Sequence, residues 1–429
     1  MLSRRAREQI PLNAYNLMWE VVKDLWDAQD NPQGLLNLGV AENRLMHTEM
    51  EEYISRDIDL RGSVLTYQDG PTGSLRLRTA LARFLNSQLR PHKPLDASQI
   101  LVTNGVSSAL EHSSWALANS GDAFLLGRPY YGAINLTLRP EVRTLPVTFG
   151  DIDPLSLAAV KCYEAAILAA RQQGTAVKGL LLCSPHNPLG QCYSRDVLMG
   201  YLSLCSKYRI HLVSDEVYAL SVWREPSFTS VLSLNLEEVI DPSLVHVLWG
   251  VSKDFGINGW RLGCIISPSN KSFHAALGTV AIYSYVSSIT DHIMAQMLED
   301  AVFTTAYLLE SRRRLESTYT FTTDFLRQHA IPYAPANAGF FLWVDLGQAY
   351  LNRYPGRTTL REAADEVKHA LWARKVYLAY GEQFNSESPG MFRIVFAHPR
   401  DYLEEALRRI HQALEDGIRA GQSLTIQRL

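Results

Sequence analysis

Trp249-Gly-Val-Ser-Lys253-Asp-Phe-Gly-Ile-Asn-Gly-Trp-Arg261-Leu-Gly263 decides the fold. Leu244 to Trp249 is an apolar run of strand length, and the Gly/Ser break after it places Lys253 just past the strand's C-terminal end. In open α/β sheets that rim is where ligands bind. Arg261 follows eight residues later, so a lysine and an arginine share the rim. An amine there can condense with an aldehyde, and a guanidinium fork suits a phosphate ester. The same spacing also serves a solvated lysine and a structural arginine, so the neighbouring strands must decide.

Two of them lie upstream. Gly179-Leu-Leu-Leu-Cys183 is apolar throughout and ends in Ser184-Pro-His-Asn187-Pro-Leu-Gly190, while Ile210-His-Leu-Val-Ser214 ends in Asp215-Glu-Val-Tyr218. Helical segments separate the strands, so Asn187, Asp215 and Lys253 can converge on one rim. Their chemistries are complementary. A buried Asp215 facing a pyridine nitrogen keeps it protonated, Asn187 and Tyr218 can hydrogen-bond a ring hydroxyl, and Lys253 can form a Schiff base with pyridoxal phosphate. An acid, an amide and an amine that are merely unrelated loop residues is the weaker reading.

Working outward, Ile100 to Thr103 reads as a strand, and Asn104-Gly-Val-Ser107-Ser108 opens a helix through Leu117 that Gly121 closes. Such an N-terminus presents free N–H groups and a positive dipole end to phosphate, although serine is also the ordinary helix cap. Ala123 to Leu126 is the next strand, ending in Arg128-Pro-Tyr130-Tyr131-Gly132, where Tyr131 either stacks on a flat ring or simply packs. The periodicity predicts helices over residues 12 to 30 and Leu155 to Arg171, and again from Ser272 to about Gln328, with a long stretch suited to crossing between two domains. Gly339 to Asp345 and Met391 to Ala397 read as strands of a smaller α+β unit, followed by a helix from Tyr402 to Ala420. Arg393 is the odd residue in its apolar strand. It must meet an anion, either a substrate α-carboxylate or a protein carboxylate. Glu42, in Asn37-Leu-Gly-Val-Ala-Glu-Asn-Arg-Leu45, reads most plainly as a cap on a helix beginning near His47.

A chain of 429 residues, 47% apolar, can bury one large and one smaller core. The expected division is an N-terminal arm over 1–50, a large domain over 51–310 and a small domain over 311–429. A net charge of -3 leaves no footprint for nucleic acid. The five cysteines form no CxxC pair, no metal site is expected, and their setting suits a reducing compartment, the cytoplasm. No apolar run approaches the roughly 18 residues of a membrane span. The basic start leads into Gln9-Ile10-Pro11 and not an apolar segment, against a secretory signal.

At these residues the sequence resembles the class I aminotransferase group of pyridoxal phosphate enzymes, fold type I. It is most similar to the 1-aminocyclopropane-1-carboxylate (ACC) synthase branch, in its fungal form. The motifs are Asn37 to Leu45, Gly121 to Leu126 with Pro129-Tyr-Tyr131, Asn187-Pro-Leu-Gly190, His211 to Tyr218, Ser252-Lys253-Asp254 through Gly263, and Pro389 to Arg393. The resemblance implies an α/β large domain with a mostly parallel sheet plus a smaller α+β domain. It implies that Lys253 binds the cofactor covalently, and that Arg261 holds its phosphate with the backbone near Ser107 and Ser108. Tyr131 would stack on the ring, Asp215 would meet its nitrogen, Asn187 and Tyr218 its hydroxyl, and Arg393 the substrate carboxylate. Glu42 matches a glutamate near the sulfonium of S-adenosylmethionine, and Tyr67 to Gly73 match a segment that crosses from the partner of a homodimer. Two positions depart from the family. Gly70 stands where plant ACC synthases have tyrosine, and Gly250 where a phosphate-binding serine is usual, so Ser252 or Ser107 must compensate. The expected activity is a lyase expelling a sulfur leaving group, the alternative an aminotransferase, and the remaining reading a cofactor-binding regulator without catalysis.

Overall fold

The computed structural model describes residues 2, 3, 7 and 20–415, apart from 57, 59, 61, 139, 140, 357 and 358. Its large sheet has seven strands: β2 (Ile100–Thr103), β3 (Ala123–Gly127), β4 (Arg143–Val147), β5 (Val177–Cys183), β6 (His211–Asp215), β7 (Val245–Gly250) and β8 (Gly263–Ile266). They lie in the order β2-β8-β7-β6-β5-β3-β4. Only β8 runs against its neighbours, pairing antiparallel with both β2 and β7. The other strands therefore share one direction, and the ends of β2, β3, β5, β6 and β7 form one rim. Because β8 is reversed, its start at Gly263 lies on that rim too, which returns Arg261 to the side of Lys253.

The inner strands are mainly apolar because both faces are covered, whereas β4 at the edge, Arg143-Thr-Leu-Pro-Val, is half-exposed. Helices α1 (His47–Arg56), α2 (Leu75–Leu89), α4 (Ala159–Gln172) and α5 (Arg195–Tyr208) share one buried cluster with the sheet, and α3 (Gly105–Leu117) packs into a second. Ser74 and Ser194 cap α2 and α5 through the N–H groups of Leu77 and Val197. Trp249 of β7 is fully buried between Phe84 and Phe255. Truncating such a side chain costs about 3–5 kcal/mol.

A further core gathers around the antiparallel strands β9 (Phe341–Asp345), β11 (Ala379–Tyr380) and β12 (Met391–Val395), with α10 (Leu346–Arg353), α11 (Leu360–Ala373) and α12 (Arg400–Glu415). Strand β1 (Leu36–Asn37) joins it by pairing in parallel with β10 (Val376–Tyr377). The helical stretch after β8 is broken into α7 (Lys271–Val280), α8 (Ser288–Glu299) and α9 (Ala301–Gln328). Helix α9, about 42 Å long at 1.5 Å per residue, gives Tyr307 and Leu308 to the large core and Leu315, Tyr319 and Leu326 to the smaller one.

Several sequence expectations need correction. The expected helix over 12–30 falls partly outside the described residues, and from Val22 onward the chain makes turns and isolated bridges. The cause is local: Asp27 accepts the N–H groups of Gln29 and Asp30, and the Asn31 amide donates to Asp24 and Leu25. Such contacts offer the backbone an alternative to helix. Helix α4 starts at Ala159 and not at 155, because Asp153 draws the Leu155 N–H into a turn. Helix α3 ends at Leu117, with Ala118 at its cap; Gly121, at φ +87°, instead makes the turn into β3. The last helix is described only to Glu415.

Candidate active site

The elements bring most of the expected site residues to the rim. Just before α3, Asn104 makes no side-chain cap, so the first N–H groups of this 13-residue helix face outward uncapped. Gly105 has φ +77°, and a Cβ there would lie 2.4 Å from Arg261 Nη2. Only glycine lets Arg261 reach the helix N-terminus. The arginine donates Nη1–H to the Asn258 carbonyl at 2.9 Å and is otherwise exposed. Ser107 is exposed, and Ser108 Oγ donates to the Asn104 carbonyl. Guanidinium, helix dipole and free N–H groups together form an anion cup.

Lys253 lies in the one-turn helix α6 (Val251–Asp254), entered directly from β7. Its Nζ donates to the Ala41 carbonyl at 2.7 Å. Burial, followed by the positive Arg393, pulls the amine down from 10.5 to about 8. Glu42 and Asp215 oppose that shift, so both carboxylates lie within its field. Asp215, at the end of β6, is pushed up to about 7 by burial, relieved by the Val217 N–H on Oδ1 and by Lys253. Glu42 is not a helix cap: its Oε1 accepts Asn258 Nδ2–H at 3.0 Å.

Arg393 meets no carboxylate among the described residues. Nη1 donates to Asn187 Oδ1 at 2.9 Å and Nη2 to the Gly39 carbonyl at 2.6 Å, while Nε is buried without a partner. Its guanidinium lies 4.8 Å from the Phe384 ring and 5.2 Å from the Phe341 ring. A buried cation with only neutral acceptors is the setting for an incoming carboxylate. Tyr218 is buried, its phenol pushed well up by burial with Arg393 opposing. Tyr131 keeps 42% of its surface exposed and lies within the field of Arg393.

The donor set fits pyridoxal phosphate on three observations: the glycine-dependent anion cup, a buried carboxylate in need of a cation, and a lysine amine of lowered basicity between them. Two expectations fare differently. Ser252 is buried, but a Cβ at Gly250 would lie 2.9 Å from the Leu262 carbonyl and 3.0 Å from Val106 Cγ2, so this position has no room for a serine. Tyr67 is 82% exposed, its ring beside that of Tyr285. Asn258 and Asp254 escaped the sequence reading, because no spacing rule shows that an amide in a turn will reach back over 216 residues to Glu42. Among the described residues no group of His, Cys, Asp or Glu could hold a metal ion, and no helix is long and apolar enough to cross a membrane.

The model of the family aminotransferase class I and II matches residues 33–410. The chain is 36% identical over 408 residues to the 1-aminocyclopropane-1-carboxylate synthase-like protein 1 of Bos taurus, covering 91% of this chain and 78% of that one. It is 32% identical over 429 residues to the probable aminotransferase sirI of Leptosphaeria maculans, covering 97% and 99%. It is 31% identical over 415 residues to the 1-aminocyclopropane-1-carboxylate synthase of Nicotiana tabacum, covering 90% and 82%. Among solved structures, the aspartate aminotransferase from Thermus thermophilus with maleate superposes with a TM-score of 0.73 at 20% identity, over 96% of this chain and 99% of that one. The fold is thus aspartate aminotransferase-like. By a match that runs almost from end to end of the chain, the protein belongs to the class I and II aminotransferase family, whose cofactor is pyridoxal phosphate.

Proposed function

We propose that the protein is a pyridoxal phosphate-dependent enzyme that cleaves a carbon–sulfur bond of an α-amino acid, expelling the sulfur group from the β or γ carbon. The observation that carries this reading is Glu42, whose carboxylate is held by Asn258 within the field of Lys253. A negative group beside the reacting amine favours a positive leaving group such as a sulfonium. The likeness to proteins named ACC synthase and ACC synthase-like supports it.

When bound, the cofactor supplies an electron sink for the carbanion left by the departing α-proton. In this reading Arg393 fixes the substrate carboxylate, with Asn187 and the Gly39 carbonyl orienting its guanidinium. Lys253 holds the cofactor at rest and, once displaced by the substrate amine, takes the α-proton on Nζ. An amine at about 8 is suited to that work near neutral pH. Asp215 would balance a positive ring nitrogen, Asn187 and Tyr218 would donate to the ring hydroxyl, and Tyr131 would cover the ring. Ser107 and Ser108, through the α3 N-terminus, would hold the phosphate with Arg261 and Ser252.

Tyr67 completes the site of a second copy of the chain in this reading. The loop at Thr66–Gln68 is tied to Tyr285 and Ser288, with Ser288 Oγ donating to the Thr66 carbonyl at 2.7 Å. Leu65, Tyr67, Ile282 and Tyr283, each more than 60% exposed, lie in these tied segments. An exposed apolar patch of this kind supports a homodimer.

Transamination is the second reading, favoured by the likeness over nearly the whole chain to a protein named a probable aminotransferase. A regulator without catalysis gains nothing from the assembled Lys253, Asp215 and Arg393. The test is one turnover of holoenzyme with S-adenosylmethionine, cysteine conjugates or common amino acids, without any keto acid. Release of a thiol or methylthioadenosine with return of the starting absorbance is expected. Pyridoxamine phosphate with one equivalent of keto acid would replace the lyase reading by transamination.

A further inference from the structure

Asp254 follows Lys253 in α6 and is buried to 1% exposure, yet the proposed chemistry does not use it. Its carboxylate accepts Ser221 Oγ–H at 2.7 Å, the Leu220 N–H at 3.1 Å and Trp249 Nε1–H at 3.1 Å. Trp249 belongs to β7. Leu220 and Ser221 belong to the loop after β6 that carries Tyr218. The same loop is gripped from outside: the Leu220 carbonyl accepts Arg312 Nε–H of α9 at 2.9 Å, and the Ser221 carbonyl accepts the Gly339 N–H at 2.8 Å. One carboxylate thus joins the lysine turn, its strand and the tyrosine loop.

Such a tie is needed because α6 has only four residues. One helical turn fixes many dihedrals for few hydrogen bonds and does not hold its own geometry. Lys253 reaches the rim on a flexible four-carbon stem, so the accuracy of Nζ depends on how firmly its backbone is anchored. A buried acid is a costly anchor, pushed up to about 7 by burial. An apolar side chain would fill the space at less cost, but it would not fix three separate donors in one register.

We propose that Asp254 is a positioning residue that holds the Lys253 turn in register with the Tyr218 loop, so that Nζ meets the substrate's α-proton. The proposal rests on the reading that Lys253 moves that proton. Asp254→Ala, Asp254→Asn and Ser221→Ala are compared with Lys253→Ala, measuring cofactor affinity, KM, kcat, solvent exchange of the α-proton, and the isotope effect with α-deuterated substrate. A displacement of about 1 Å at a reacting group costs up to about 100-fold. Asp254→Ala is therefore expected to lower kcat and proton exchange by about 10- to 100-fold and to raise the isotope effect, with KM and cofactor affinity within about threefold. Asp254→Asn should recover most of the rate, because its amide oxygen accepts from Leu220 and Trp249 while Ser221 rotates to accept from its N–H. If Asp254→Ala does not fold, Ser221→Ala, which removes one donor, should show the same pattern at smaller size. Unchanged exchange and isotope effect in the folded variants, or a uniform loss of cofactor binding and KM, would overturn the role of Asp254. Proton exchange surviving in Lys253→Ala would instead overturn the role of the lysine.

Discussion

The Lys253 amine sits at about 8, where a solvated lysine would stand at 10.5. At pH 8 about half of it is the neutral nucleophile, against roughly 0.3% for an unperturbed lysine. Apoenzyme should therefore combine with pyridoxal phosphate at a rate that rises with pH to a plateau, with a midpoint near 8 followed by absorbance. The sign of the Arg393 contribution gives a second check. This cation disfavours a charged amine, so Arg393→Gln should move the midpoint upward. The same change removes charge-assisted bonds worth about 1.5–3 kcal/mol, so KM for the amino acid should rise tenfold or more. A midpoint unmoved by the substitution would show that Arg393 does not lower the amine, leaving burial and Arg261. Lys253, Asp215 and Asn187 were legible as rim candidates because each stands at or a few residues past the end of a strand, with a chemistry unlike its apolar run. Arg393 was legible as a misfit. The meeting of Arg393 with Asn187 and not with a carboxylate was not legible, since it depends on how β12 approaches the rim from a different sheet.

At the scale of elements, the anion cup is a junction of backbones. A Cβ at Gly263 would lie 2.6 Å from the Gly105 carbonyl carbon, and one at Gly250 would lie 3.1 Å from Gly263 Cα. The ends of β7, β8 and α3 are therefore pressed together with no side chain between them. The Gly250 backbone is extended at φ -172°, so space and not conformation excludes serine. Gly250→Ser, which restores the usual family residue, should loosen the cofactor and lower the melting temperature; tighter binding would show that the strands yield. Gly105→Ala should be worse. It forces a Cβ into the left-handed region, at about 1–2 kcal/mol, and displaces Arg261, so cofactor affinity by fluorescence titration should fall about tenfold or more. Strands β2, β3, β5, β6 and β7 were readable, because a sheet covered on both faces needs unbroken apolar runs; β4, the half-exposed Arg143-Thr-Leu-Pro-Val at the sheet edge, and the four-residue β8 were not. Helix ends were less so, since residues 22–31 and 153–158 are settled by Asp and Asn side chains competing for the same N–H groups as the helix.

At the scale of the molecule, the α/β architecture was legible in the order of strands and helices, and the smaller core in the apolar pattern of Phe341 to Val395. What lies between chains leaves only an indirect mark, namely large apolar side chains that one chain fails to bury. Tyr67 is such a residue, and its role can be separated from that of Lys253. If each site takes Lys253 from one chain and Tyr67 from the other, then Lys253→Ala and Tyr67→Ala homodimers are each impaired. A hybrid dimer then has one site with both defects and one with neither. Random reassortment of an equal mixture makes about half the dimers hybrid, each with one sound site of two, so about a quarter of full activity should return. The recovery should appear only after subunits are allowed to exchange, and Tyr283→Glu, by charging the exposed patch, should abolish it and shift the sedimentation coefficient to that of a monomer. Recovery absent from demonstrably mixed dimers would mean that Tyr67 serves its own chain or none, and the site would then have to be complete within one subunit.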